Sequence, residues 1–350
     1  MWKFSLETMK MTYRELLQWG EQELETVQLP EGKWDAWLLF SYVFEMERGQ
    51  YFLVMNQEIQ AGMNKSIHEK GISDKGVNDK CKKSLESLEY DRQNKDVCLQ
   101  ENLIEKYQIM IGKRRQRIPL QHITGEQEFM GYTFLVNRHV LIPRQDTECL
   151  VEKVWEEIVR RKENKETDQG GEIHVMDMCT GSGCIAVSLC KMYQEWYGQK
   201  LDMTAVDVCE QALQVAGENG RRLKCEHIHW TQSDLFAQLT QNDGHNKYGA
   251  YDIIVSNPPY IPTKVIDSLE DEVKLYDPWK ALDGKEDGFY FYEKIIKQSV
   301  SFMRPQGMLA FEIGCEQGAE VKSMMEQAGY RQVEISKDLA GLDRVVKGFL

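Results

Sequence analysis

No apolar run in this chain approaches the roughly 20 residues that a bilayer-crossing helix needs, which excludes a bundle of membrane-spanning helices. The opening stretch, MWKFSLETMKMTYREL, holds neither an apolar core nor a small-residue cleavage site, so no secretory leader is read there. None of the nine cysteines forms a C-x-x-C pair. That leaves no zinc ribbon and no paired redox site, and the thiols are expected to be free in a reducing cytoplasm. Histidine is scarce. His227 and His229 lie close, but no acidic or cysteine partner sits at ligand spacing, so an exposed strand edge accounts for the pair and no metal is expected. Positive charge is also short, with a formal net charge of −13. A protein that grips nucleic acid through its phosphates carries a basic face. Here the one basic patch is GKRRQR, 112–117, and the balance points to a small-molecule or protein substrate.

The 350 residues suffice for about two domains, and 42% hydrophobic with 28% charged residues is an ordinary globular composition. Residues 12–54 read as helical. Thr12 and Glu15 form a capping box ahead of LLQWGEQEL, and WDAWLLFSYVFEM, 34–46, is apolar enough for a helix buried in a small bundle. Residues 56–97 turn polar, charged and glycine-punctuated, and read as a mobile or loosely helical insertion. Helix returns over 99–116. The chain from 1 to 117 is therefore expected to form a helical N-terminal domain. EQEFMGYTFLV, 126–136, alternates around Gly131 as a β-hairpin does, and makes 118–148 a connecting hairpin segment. A short strand ending at Pro143 and a helix beginning near Glu148 follow. From 172 strands and helices alternate, with a strand pair at the end. Residues 149–350 read as a doubly wound, Rossmann-like α/β domain with an antiparallel edge, whose ligands sit at the carboxyl ends of the strands.

Four stretches fall at such ends. In MDMCTGSGCIA a strand ends at Asp177, and Gly181-Ser182-Gly183 open a helix. Glycines there let the backbone approach a ligand closely. The pattern suits a nicotinamide cofactor as well as a nucleoside, and a tight turn with no ligand would also use it. Asp207 ends the next strand, where a carboxylate can accept both hydroxyls of a ribose or simply cap the helix after it. In SDLF, Asp234 can take an adenine amino group and Leu235 can press on its ring. The fourth stretch, SNPPY at 256–260, discriminates. Hydride transfer has no use for it, whereas methylation of a planar NH2 group does. The nitrogen lone pair of such a group is delocalised, and an acceptor on each N–H favours the rehybridisation that the incoming methyl requires. The Asn257 side-chain oxygen and the Pro258 carbonyl are the two acceptors. Proline aims its carbonyl in advance and brings no competing N–H. Tyr260 supplies a flat wall. Positioning carries the rate, and no titratable base is required.

The order DMCTGSG, VDV, SDLF, SNPPY resembles the class I S-adenosylmethionine-dependent methyltransferases that modify nitrogen. More closely, the chain resembles the HemK/PrmC family, the N5-glutamine methyltransferases of peptide chain release factors. The likeness is carried further by RIPLQHITGEQEFMGYTFLVNRHVLIPRQDTE (117–148), DEVKLYDPWKALDGKEDG (271–288), FEIGCEQG (311–318) and KDLAGLDRVVKG (337–348). It covers roughly 101–350 well and 12–54 loosely. The resemblance implies an S-adenosylmethionine site built from Asp177, Cys179, Thr180, Gly181, Ser182, Gly183 and Asp207, with Asp234 and Leu235 by the adenine. Asn257 would touch both methyl donor and substrate. Asn257, Pro258, Pro259 and Tyr260 would hold the glutamine of a Gly-Gly-Gln loop in a class I release factor. Arg144 and Glu148 would shape the substrate entrance, and the N-terminal helices would help dock the partner. No membrane and no nucleic-acid substrate is implied, and the compartment is the cytoplasm.

The chain departs from the family's pattern at several places. Cys179 stands where glycine is usual, and a side chain there calls for an ordinary φ. Cys209 stands where serine is common, which weakens a cap. Gln145-Asp146 replaces a usual Pro-Glu, Leu342 replaces an arginine-like residue, and the insertion at 56–97 has no counterpart. Other functions compete: glutamine methylation of a ribosomal protein, N6-adenine methylation of nucleic acid, and a nucleotide-dependent oxidoreductase. The acidic charge argues against the second, and the third leaves SNPPY unexplained.

Overall fold

The strands from 172 onward are short apolar runs with a two-residue period, and they build one mixed sheet. A computed structural model describes residues 11–59, 103–164, 172–239 and 249–350. Strands β3 (His174–Met178), β4 (Asp202–Asp207), β5 (His229–Gln232), β6 (Tyr251–Ser256) and β7 (Met303–Glu312) run parallel. β8 (Arg331–Lys337) and β9 (Asp343–Phe349) close the far edge antiparallel, in the order β5-β4-β3-β6-β7-β9-β8. Alternation sorts the side chains between two faces. Val175, Ile253 and Val255 enter a core with helices α6 (Glu148–Asn164) and α7 (Cys184–Tyr197). Met176, Met178 and Ile254 enter another with α12 (Tyr290–Phe302) and α13 (Gly318–Gln327). Each fully buried side chain of this size contributes ~1.5–3 kcal/mol. Helix α8 (Glu210–Arg222) follows β4. Three short helices, α9 (Thr263–Ile266), α10 (Asp271–Tyr276) and α11 (Trp279–Leu282), follow β6. The chain leaves β3 for β4 on one side and later returns to β6 on the other. The topological switch point therefore lies between β3 and β6.

The chain divides into two compact units, Met1–Thr124 and Gly125–Leu350. The hairpin β1 (Glu126–Phe129) and β2 (Tyr132–Leu135) belongs to the second unit instead of standing apart as a connector, because Phe129 and Phe134 are buried in its core. Met130 and Gly131 both have positive φ, as a two-residue hairpin turn requires. The short strand expected before Pro143 is absent: 137–140 turn and 141–144 carry no strand, with the His139 N–H donating to Asn137 Oδ1 and Val140 packed on Ala212 and Val215 of α8.

In the first unit, α1 (Tyr13–Glu25), α2 (Gly32–Phe44), α3 (Arg48–Val54), a helix α4 at 103–115 and α5 (Leu120–Thr124) surround Leu16, Phe40, Tyr107 and Ile111. The Thr12–Glu15 capping box is formed. The basic patch is partly spent inside this unit. Arg114 is buried against Asp35 at 2.7 Å, and Arg115 pairs with Glu23 at 2.7 Å. The polar insertion read at 56–97 lies outside the described residues beyond 59. Among the described residues no helix is long and apolar enough to cross a membrane.

Candidate active site

A cavity of about 330 Å³ opens at the carboxyl ends of β3, β4 and β6, within the range of small-ligand sites. The glycine loop forms its floor. The Thr180 N–H extends the ladder to the Val206 carbonyl at 2.9 Å, and then the chain turns into α7 through Gly181 (φ 56°) and Gly183 (φ 77°). A side chain on Gly181 would meet nothing within 4 Å. That open space is what lets a ligand lie against the backbone. A side chain on Gly183 would press on Ala216 and Trp230, so Gly183 lets α7 pack closely and does not line the cavity.

Cys179 corrects an expectation. It does not take an ordinary φ: its φ is 65°, in the left-handed region. The turn from β3 requires that conformation whatever residue occupies it, and an L side chain is held there at a cost of ~1–2 kcal/mol. Leu235 on the cavity wall is also left-handed, with φ 51°.

Asp207 lines the cavity and fastens the loop. Its two carboxylate oxygens accept the N–H of Gly181 at 2.9 Å and of Cys209 at 2.8 Å. Burial raises its pKa, against the lowering effect of these bonds. A carboxylate offers about four acceptor positions, so these bonds do not exhaust it and a ligand hydroxyl can still be accepted. Cys209 caps α8 without a side-chain bond, and the Asp207 carboxylate does that work instead. Thr180, Ser182, Asp234 and Arg144 also line the cavity. Asp177 does not: it is fully buried beneath the loop, where Oδ2 accepts the Thr180 hydroxyl at 2.6 Å and the Ala186 N–H at 3.2 Å. Burial pushes its pKa up to about 7, and Oδ1 has no partner.

Asn257 and Pro259 form the opposite wall. The parallel pairing of Ser256 with Phe311 sets the next residues, Asn257 and Glu312, side by side. Asn257 Nδ2 donates to Glu312 Oε2 at 2.9 Å and to Thr147 Oγ1 at 3.3 Å. Among the described residues no donor is bonded to Asn257 Oδ1 or to the Pro258 carbonyl. Pro258 is buried. Tyr260 is half-buried, away from the cavity lining, with its hydroxyl 3.4 Å from Glu312 Oε1.

The turn after β6 is pinned from outside. Gln317 Nε2 donates to the Tyr260 carbonyl at 3.1 Å. The Ile261 N–H bonds the Leu282 carbonyl at 3.1 Å, and the Gly284 N–H bonds the Ile261 carbonyl at 2.8 Å. A Cβ on Gly284 would sit 2.7 Å from the Tyr260 carbonyl carbon, so only glycine lets the 283–288 segment approach.

Arg144 pairs with the buried Asp277 at 2.8 Å. Glu148 faces away from the cavity and accepts the Met130 N–H of the hairpin turn at 2.6 Å, because it opens α6 directly under that turn. Sequence reasoning missed Glu312, Thr147, Trp279, Phe291 and the 138–141 loop, all but Glu312 of which line the cavity. FEIG and DPWKAL lay in view as motifs, but no single residue in them showed which way it faced.

Comparison with known proteins identifies the family. The PrmC N-terminal domain matches residues 15–69 and the Methyltransferase small domain matches 163–270. A release factor glutamine methyltransferase of Clostridium botulinum is 38% identical over 73% of this chain and 83% of its own length. The chain belongs to the release factor glutamine methyltransferase family. A second member, from Clostridium acetobutylicum, is 37% identical over 72% of this chain and 82% of its own. A solved protein-(glutamine-N5) methyltransferase (release factor-specific) of Alicyclobacillus acidocaldarius is 26% identical over 62% of this chain and 98% of its own, with a TM-score of 0.31. The methyl donor of the family is S-adenosylmethionine. The cavity fits such a group: an open glycine backbone, an acid that can still accept a hydroxyl and an apolar Leu235 wall suit a nucleoside.

Proposed function

We propose that this protein methylates the side-chain amide nitrogen of the glutamine in the Gly-Gly-Gln loop of class I release factors, in the cytoplasm. The observation that carries the reading is the orientation of Asn257: its NH2 is bound to Glu312 and Thr147, and Oδ1 is left without a donor beside the donor cavity. S-adenosylmethionine, when bound, supplies a methyl group on a sulfonium. The residues expected to hold it are Cys179, Thr180, Gly181, Ser182, Asp207, Asp234, Leu235 and Asn257, with Asp177 and Gly183 shaping the loop from behind.

Asn257 Oδ1 and the Pro258 carbonyl accept the two N–H bonds of the substrate amide. Partial positive charge grows on those hydrogens as the nitrogen lone pair leaves conjugation, so fixed acceptors favour the transition state over the ground state. Pro259 and Tyr260 keep the turn rigid, and Arg144 stands at the entrance. Burial and Glu312 raise the pKa of the Tyr260 phenol, which stays protonated and donates to Glu312; away from the cavity lining, it serves neither as the flat wall expected of it nor as a base. The amide's surplus proton is acidic once the nitrogen carries the methyl group and passes to solvent. The helices of the first unit are proposed to dock the release factor.

The test is label transfer from methyl-labelled S-adenosylmethionine to a purified release factor and to the same factor with its Gly-Gly-Gln glutamine changed to alanine. Label is expected only on the first. Equal labelling of both, or of ribosomal protein or DNA instead, sinks the reading.

A further inference from the structure

An asparagine can serve as an acceptor only if its oxygen faces the substrate. The two ends of a primary amide are nearly equal in size, so packing alone does not choose between them. A hydrogen-bonding partner does. Glu312 ends β7 with 2% exposure. Its Oε2 accepts from Asn257 Nδ2 at 2.9 Å and from the Thr147 hydroxyl at 2.5 Å, and its Oε1 lies 3.4 Å from the Tyr260 hydroxyl. A flipped Asn257 would set its oxygen against Oε2, leaving two buried acceptors face to face without a proton between them.

Resting on the glutamine reading above, we propose that Glu312 is a positioning residue. With Thr147 it locks the Asn257 amide, so that this wall of the site presents only acceptors, and the site selects a carboxamide over a carboxylate. A substrate glutamine offers two N–H bonds to Oδ1 and the Pro258 carbonyl. A glutamate at the same place offers only oxygens to those acceptors and is rejected.

Oε2 already accepts two donors, so a proton taken up by Glu312 would sit on Oε1 and leave the Asn257 contact in place. Arg344 from β9 favours the carboxylate, Asp146 from the turn before α6 opposes it, and burial outweighs both. Tyr292 of α12 bonds the Glu312 backbone carbonyl, not the side chain. A proton on Oε1 would point to Tyr260 and leave Oε2 accepting from Asn257.

The test compares a Gly-Gly-Gln peptide as substrate with its Gly-Gly-Glu counterpart as competitor, in wild type, Glu312→Leu, Glu312→Gln and Thr147→Val. Wild type is expected to bind the Gln peptide at least ~10-fold more tightly than the Glu peptide. Glu312→Leu is expected to lose ~100-fold in kcat, and its Gln-to-Glu preference falls toward one, with donor affinity unchanged. Glu312→Gln, whose own amide can meet Asn257 Nδ2 with its oxygen or Asn257 Oδ1 with its NH2, falls between wild type and Glu312→Leu in both. Thr147→Val, which preserves shape, loses about fivefold in kcat and part of the preference, and decides the matter should Glu312→Leu not fold. Full kcat and full preference in Glu312→Leu, or in Thr147→Val when Glu312→Leu is unfolded, overturn the proposal. A wild type that methylates neither peptide nor release factor overturns the glutamine reading instead.

Discussion

The two walls of the cavity are built by different means. The donor side, at the ends of β3 and β4, is made by backbone: a glycine turn, left-handed Cys179 and Leu235, and one carboxylate, Asp207, that ties the loop together through the N–H groups of Gly181, 26 residues away, and of Cys209, two away. The acceptor side, at the end of β6, is made by side chains and turns from distant parts of the chain. Thr147, Glu312, Gln317 and Gly284 hold Asn257 and Tyr260 across sequence separations of 24 to 110 residues. In the proposed reading, the first wall holds the nucleoside and the second sets which atoms of a fixed turn face the substrate.

If the walls divide the labour in this way, substitutions should separate kcat from donor affinity. The largest effect is expected from Asn257→Ala. It should lower kcat by ~10²–10³-fold and weaken donor binding far less, by about threefold, because seven other residues are also expected to hold the donor, measured by single-turnover methylation and calorimetric titration. A comparable loss in donor affinity would merge the two walls into one. Asp207→Ala should do the converse, weakening donor binding ~10–100-fold, with a much smaller change in kcat once donor saturates.

A third, smaller effect tests the donor floor through pH. Asp177 moves from an ordinary value of 3.8 up to about 7 because burial penalises its charge. Folding therefore favours its protonated form. The stabilisation is complete below the unfolded value and is lost as pH rises through about 7. Wild type should lose ~2–3 kcal/mol between pH 6 and 8, and Asp177→Asn only about half of that, as read by urea unfolding at each pH. The remaining slope belongs in part to Glu312, also pushed up to about 7 by burial. The smallest effect is at Cys179. Replacing it with glycine should relieve the left-handed strain and stabilise the protein by roughly 0.5–1 kcal/mol in the same unfolding assay.

The same contrast explains what was legible in the sequence. The parallel strands, the helices between them and the hairpin turn at Met130-Gly131 follow from local periodicity and glycine placement, and they stand where expected. Gly181 and Asp207 were visible because the chemistry of a strand–turn–helix unit is contiguous. Cys179 was misjudged because the turn, not the residue, dictates φ. Glu312 was invisible because only the β6–β7 register sets it beside Asn257. Glu148 read as a site residue because it sits in a site-like segment, but its carboxylate turns to the hairpin backbone. In the basic stretch at 112–117, composition suggested a surface patch, and a buried pairing with Asp35 claims Arg114.

The most direct measurement is mass-spectrometric mapping of the methyl group on a release factor incubated with S-adenosylmethionine and either wild-type protein or Asn257→Ala. One methyl on the glutamine of the Gly-Gly-Gln peptide with wild type, and almost none with Asn257→Ala, is the predicted result. A methyl group at any other residue, or equal modification by both proteins, would contradict the account.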